Sequence, residues 1–320
     1  MTNFAFLTLI IVFLGAIFPN TQGIAQKASS PNRVETTDET INFPSRDGTR
    51  LFGRFYKHPK PKGLVVVVHG LQNHTEWYRN GDRFAEAGFS TLLFDRRGSG
   101  HSDGKKGHLQ SPGQWIEDLE AAIQYARSRA PDVPFHLMAN EMGFYAAFAY
   151  AKMKPKSVQS LIFVTPSAAI LPSADHPTSL KAKIYVSPSY RYFETPLDDK
   201  DFVSSGEGYD WIRNDRLGQR EFTASFLRAI NSLRADTTKF EKSDLQIPLL
   251  LVLASKDRII DNARAKSGFY DNYPGPKILL EIDTEHFIGL TPESEIMNQA
   301  LLDWLKGGYR NVPKNQPPKD

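Results

Sequence analysis

The most apolar stretches of this chain fall into two kinds. One is an N-terminal run, Phe4 to Phe18, broken only by Thr8. At about 15 residues it is short for a membrane span and suits the apolar region of a secretory signal. Pro19, Asn20 and Thr21 end it, and Gly23-Ile24-Ala25 offers small residues for cleavage, although no Lys or Arg precedes the run. The expectation is a cleaved signal peptide over 1–25 and a secreted or periplasmic protein. The alternative is a membrane anchor formed by residues 4–18. A cleaved chain would keep no stable membrane span.

The other kind is a series of short β-rich runs. Gly63-Leu64-Val65-Val66-Val67-Val68-His69 lacks polar alternation, as a strand buried on both faces requires. Ser90–Phe94, Phe135–Ala139, Ser160–Val164, Leu249–Leu253 and Ile278–Ile282 read likewise as strands. Ile41–Phe43 and Leu51–Tyr56 flank an Asp47-Gly48 turn. Between the strands lie helical patterns at Asp82–Ala87, Trp115–Ala130, Met142–Met153 and Ile296–Leu305; Ile116, Leu119, Ala122, Ile123 and Ala126 share one helix face. Alternating strands and helices predict an α/β fold, a mostly parallel sheet with helices on both faces.

The alternation stops between about Pro166 and Ser243. That stretch holds helical patches at Tyr209–Arg213 and Arg220–Leu233 and no clear strand, so it reads as a helical cap inserted over the sheet's C-terminal edge, where open α/β sheets bind ligands. The expected layout is a polar linker over 26–38, one domain over 39–306 with a cap at about 166–243, and a disordered Pro-, Lys- and Asn-rich tail over 307–320.

Composition removes several classes of chemistry. The chain has no cysteine, so disulfides, thiolate metal sites and a cysteine nucleophile are out. A net charge of +3 with no basic run argues against a nucleic-acid partner. His58, His74, His101, His108 and His176 have no metal-ligand spacing and read as surface or loop residues. Neither a metal nor an organic cofactor is expected.

His69-Gly70 ends a buried strand, and a sharp turn there would let the Leu71 N–H point into a site as an oxyanion donor. Asp95-Arg96-Arg97-Gly98-Ser99-Gly100-His101-Ser102-Asp103-Gly104 is a tight glycine loop. It lacks the following helix and the Lys-Ser/Thr of a nucleotide loop.

The loop from Phe94 to Gly104, together with His69-Gly70-Leu71-Gln72-Asn73-His74 and Trp77-Tyr78, resembles the α/β-hydrolase superfamily. The resemblance is to its serine aminopeptidase, monoacylglycerol lipase and lysophospholipase-like group. Trp211-Ile212-Arg213-Asn214-Asp215-Arg216-Leu217 and Thr223-Ala224-Ser225-Phe226-Leu227 resemble the end of that group's cap. The likeness runs from about Ile41 to Leu305. It implies an α/β-hydrolase fold and a small-molecule or lipid-like carboxylic ester as substrate.

The group places a nucleophilic serine in a Gly-x-Ser-x-Gly elbow after a buried strand. Here the elbow reads Ala139-Asn140-Glu141-Met142-Gly143, followed by Phe144, and no intact Gly-x-Ser-x-Gly occurs in the chain. The resemblance puts the acid at Asp257, the catalytic histidine at His286, and oxyanion N–H groups on Leu71 and Met142. Their order along the chain is the one this fold uses.

Three readings of Glu141 stand. It could attack as a carboxylate nucleophile, as aspartates do in epoxide hydrolases and haloalkane dehalogenases of this fold. Its extra methylene shifts the attacking oxygen by about 1.5 Å, a displacement that can cost on the order of a hundredfold. Met142 stands where a dehalogenase has Trp, and Tyr185, Tyr190 and Tyr192 read as packing residues rather than epoxide donors. Alternatively, His286 oriented by Asp257 activates water directly, with Glu141 beside the oxyanion hole. In the third, the chain binds a ligand or regulates without catalysis.

Overall fold

The computed structural model describes residues 36–237 and 245–307. The expected signal peptide, most of the linker and nearly all of the C-terminal tail lie outside the described residues.

An eight-stranded sheet forms the centre, in the order β1-β2-β4-β3-β5-β6-β9-β10. β1 (Thr37–Pro44) and β2 (Arg50–Lys57) pair antiparallel, and β2 meets β4 (Phe89–Phe94) antiparallel. β3 (Gly63–Val68), β5 (Phe135–Asn140), β6 (Ser160–Val164), β9 (Leu249–Ala254) and β10 (Lys277–Ile282) continue as parallel strands. β1 begins at Thr37, so the last two residues of the predicted linker are strand. Every residue of β3, β4, β5, β6 and β9 is buried, which explains their unbroken apolar pattern.

Helices α1 (Gly81–Glu86), α2 (Pro112–Arg129), α3 (Gly143–Met153) and α9 (Ser294–Gly307) lie close to their predicted places. Two apolar clusters result. Val66, Leu137 and Leu251 belong to one, with Trp115 and Phe148; Val65, Val67 and Leu250 belong to the other, with Phe84 and Trp304. Alternate residues of β3 enter different clusters, as period-2 side-chain geometry demands.

The insertion between β6 and β9 is richer than its sequence pattern suggests. It holds α4 (Thr178–Val186), α5 (Asp199–Phe202), α6 (Gly206–Asn214) and α7 (Ala224–Thr237). The expectation of no strand there is overturned. β7 (Tyr192–Glu194) and β8 (Glu221–Thr223) pair antiparallel, so Arg220–Thr223 precedes the helix instead of starting it. Three-residue strands are too short to show periodicity. After β9, α8 (Asn262–Ala265) runs into a π-helical turn, Lys266–Tyr270.

Candidate active site

The elbow is the sharpest feature at the sheet's C-terminal edge. β5 ends at Asn140, Glu141 takes φ +48°, and α3 starts at Gly143. Left-handed backbone is uncommon for a non-glycine residue and stores strain, so the surroundings must hold it. The Glu141 N–H donates to the Val164 carbonyl (3.1 Å), and its carbonyl accepts from Phe144 and Ser167 N–H. Gly143 is required for close approach: a Cβ there would lie 2.5 Å from the Val68 carbonyl oxygen. Phe144, where the family pattern has a small residue, fills an aromatic cluster with Phe163 and Phe269, each at 5.0 Å between ring centroids.

Glu141 is 1% exposed. Its Oε2 accepts the Leu71 N–H at 2.9 Å. The predicted oxyanion donor is therefore aimed into the site and engaged by the enzyme's own carboxylate. A Cβ on Gly70 would sit 2.0 Å from the same oxygen, so glycine at this position is a condition of the contact.

Arg96 fixes the backbone behind this donor. It is buried, and its Nη1 donates to the Gly70 carbonyl (2.9 Å) and its Nη2 to the Leu71 carbonyl (2.7 Å). The guanidinium packs over Phe226 and Trp115. Burial pulls its pKa down to about 10, against the opposing pull of Glu141 and Asp95. Arg96 belongs to the glycine loop, but nothing in its sequence context announces this role. The loop closes on its own Asp95, which accepts Thr75 N–H (2.7 Å) and His101 N–H (2.8 Å), where a nucleotide loop would hold phosphate.

His286 and Asp257 meet as expected. His286 Nδ1 donates to Asp257 at 2.9 and 2.8 Å, and both side chains are fully buried. Asp257 Oδ1 also accepts Ile259 and Ile260 N–H at 2.8 Å each, which locks the carboxylate. Among the described residues, His286 Nε2 has no hydrogen-bond partner. Burial depresses the imidazole, but the Asp257 charge and hydrogen bond outweigh it, with help from Glu141, and its pKa is raised above 6.5. Burial raises the Glu141 carboxyl above its usual 4.5, against the pull of His286, the Leu71 N–H and Arg96.

Two cavities flank this pair. One is lined by Leu71, Glu141 and Met142 and by insertion residues such as Ile184, Leu227 and Ile230. The other is lined by His286, Asn140, Tyr78 and Asn80. Glu141 faces the first and His286 the second.

The insertion is latched to the Leu71 loop. Asp215 accepts from His74 Nε2 (3.0 Å) and Trp77 Nε1 (2.8 Å), and Gln219 N–H donates to the Gln72 carbonyl (2.8 Å). Two of the motif segments thus meet each other. His74 lies in a loop, one of the two placements expected for it, but it is wholly buried and not on the surface. Tyr185 and Tyr190 are largely exposed, and Tyr192 donates to the Lys106 carbonyl. None of the three lines either cavity; the exposure of Tyr185 and Tyr190 corrects the packing role expected for them.

The model of the serine aminopeptidase S33 family matches residues 59–285. The chain belongs to the serine aminopeptidase S33 family. It is an α/β-hydrolase. Its relatives in this family include a monoacylglycerol lipase of Mycolicibacterium smegmatis, 23% identical over 85% of this chain and 98% of the relative. A probable lysophospholipase L2 of Haemophilus influenzae is 25% identical over 69% of this chain and 78% of the relative. A soluble variant of Saccharomyces cerevisiae monoglyceride lipase, solved with a substrate analogue, shares the fold at TM-score 0.75 and 20% identity, covering 88% of this chain and 99% of that one.

Proposed function

We propose that this S33 member is a secreted or periplasmic hydrolase of a carboxylic ester or related lipid-like substrate, with Glu141 as a carboxylate nucleophile served by His286 and Asp257. The observation that carries the reading is the Leu71 N–H to Glu141 Oε2 hydrogen bond. One carboxylate oxygen is anchored in the hole, which leaves Oε1 to attack from the cavity side.

Oε1 bonds to the electrophilic carbon of the substrate, and the leaving oxygen departs with a proton from His286. The adduct's glutamyl carbonyl is then Oε2, already at the Leu71 donor. Neutral His286 takes a proton from water through Nε2 while the water attacks the glutamyl carbon, and the developing oxyanion is held at Leu71. Collapse expels the second product and restores the carboxylate. Asp257 keeps the imidazole in the tautomer with Nδ1 protonated. The monoacylglycerol lipase and lysophospholipase relatives support a lipid-like ester as the substrate. With Tyr185, Tyr190 and Tyr192 outside the cavity, no cap phenol among them is available for epoxide opening.

The test is turnover on a panel of acyl esters and epoxides by wild type, Glu141→Gln and His286→Ala. Ester turnover lost in both variants supports the reading. Turnover that survives Glu141→Gln points to direct attack by His286-activated water. No turnover by any form favours the second reading, a ligand-binding member of the fold, whose motivation is the oxyanion donor already engaged by Glu141.

A further inference from the structure

The cavity that Glu141 faces is apolar along most of its wall but ends in charge. Asp175, Lys181 and Arg234 also line it, together with Asn231 and His176. Lys181 Nζ lies 2.7 Å from Asp175 Oδ2, and Arg234 Nη1 lies 2.9 Å from the same oxygen. Two cations on one carboxylate leave a net charge of +1. The three side chains come from three places: the turn before α4, α4 itself and α7.

This cluster is more than a brace between helices. Arg234 shares one face of α7 with Leu227, Ile230 and Asn231, all of which line the same cavity. The Lys181 and Arg234 side chains remain 38% and 33% exposed, so they reach accessible space. Among the described residues, Arg234 spends one guanidinium nitrogen and Lys181 one donor on Asp175. The rest of the Arg234 fork is available to a second anion, which guanidinium binds in bidentate fashion. Tyr145 spans the distance: its buried phenol, which donates to the Ser167 carbonyl at 2.8 Å, feels Arg234 and Asp175 as well as Glu141.

We infer that Lys181 and Arg234 form a subsite for a compact anionic group, a carboxylate or a phosphate, carried by the substrate at the end remote from the bond that Glu141 attacks. The inference rests on the reading of Glu141 as the group that meets the substrate. The charge layout also orients the ligand. A negative end is drawn to the cation pair and repelled from the Glu141 carboxylate, so the neutral electrophilic end is the one left at Glu141. The apolar wall between them suits an alkyl chain. Asp175 positions both cations and competes with the ligand for them.

The test is calorimetric binding in the His286→Ala background, where turnover plays no part and the wall of this cavity is unchanged. The probes are methyl decanoate, monomethyl decanedioate and the methyl ester of a phosphorylated hydroxydecanoic acid. At least one anionic probe is expected to bind about tenfold or more tightly than the neutral ester. Lys181→Met and Arg234→Met should each cut that preference, and Asp175→Asn should enlarge it. The carboxylate and phosphate arms tell which anion is taken. Equal affinity for all three probes, or a preference that both cation variants leave unchanged, overturns the subsite. Because binding is read directly, absence of turnover in wild type would refute the hydrolase reading and leave this result standing.

Discussion

The Leu71 N–H donates to Glu141 Oε2 at 2.9 Å. In an S33 hydrolase with serine at the elbow, that N–H would wait for the substrate's carbonyl oxygen. Here it holds a side-chain carboxylate that is buried, set on left-handed backbone and opposed across Gly70 by no side chain. The predicted oxyanion donor and the Glu141 carboxylate are joined by one hydrogen bond.

Shortening that side chain should separate them again. Glu141→Ser removes the carboxylate, frees the Leu71 donor and leaves the His286–Asp257 pair in place. Hydrolysis of short-chain nitrophenyl esters is expected to rise on the order of a hundredfold over wild type, the scale of one recovered oxyanion donor. Esterase assays check this; a variant as slow as wild type would show that the hole is not competent.

Asp257→Asn keeps an oxygen for the Ile259 and Ile260 N–H groups, so the acid loop should survive. It turns the imidazole into the wrong tautomer. Turnover is expected to drop on the order of a thousandfold, with the melting temperature little changed. Steady-state kinetics and a thermal melt on the same preparation separate the two effects.

Much of this arrangement could be read from the sequence, and the rest could not for definite reasons. The strands β3, β5 and β9 were legible because burial on both faces leaves only apolar residues. The family resemblance led to the expectation that Asp257 and His286 act together, and the two side chains do meet. β7 and β8 escaped because three residues carry no period, and their pairing depends on segments nearly thirty positions apart. His74 reads as a loop histidine until Asp215 and the insertion bury it. The Leu71–Glu141 bond depends on a rotamer and a positive φ, which no residue pattern encodes. Arg96 was hidden because its acceptors are backbone carbonyls, which every residue type supplies.

That hidden residue yields its own prediction. Arg96→Met keeps much of the packing against Phe226 and Trp115 but leaves the Leu71 carbonyl without its donor and the Gly70 carbonyl with only His69 Nδ1. A stability loss of about 1–3 kcal/mol is expected for buried acceptors left unpaired. In Arg96→Met/Glu141→Ser, ester turnover should fall below that of Glu141→Ser alone, because the loop carrying the Leu71 donor is no longer held. Denaturant melts and kinetics on both backgrounds check the two halves.

The raised carboxyl of Glu141 has a consequence for stability. Burial lifts its folded pKa above the ordinary 4.5. In the window between these values the unfolded chain has lost the proton and the folded chain keeps it. Its stabilising contribution is therefore full below 4.5 and is lost as pH rises through the folded pKa, with a slope of up to about 1.4 kcal/mol per pH unit. Glu141→Gln cannot titrate. The melting temperature of Glu141→Gln relative to wild type should climb as pH rises above 4.5. A constant difference across that range would show that the carboxyl titrates normally.

The most direct measurement of the mechanism follows oxygen. Wild-type protein turned over on an ester in ¹⁸O-labelled water, then digested and sequenced by mass spectrometry, should carry ¹⁸O in the Glu141 carboxylate, because water attacks the glutamyl carbon of the adduct. The same treatment without substrate should leave Glu141 unlabelled. Sustained turnover with the label found only in the released acid, and none in Glu141, would contradict the attack of water on the glutamyl carbon that this account requires.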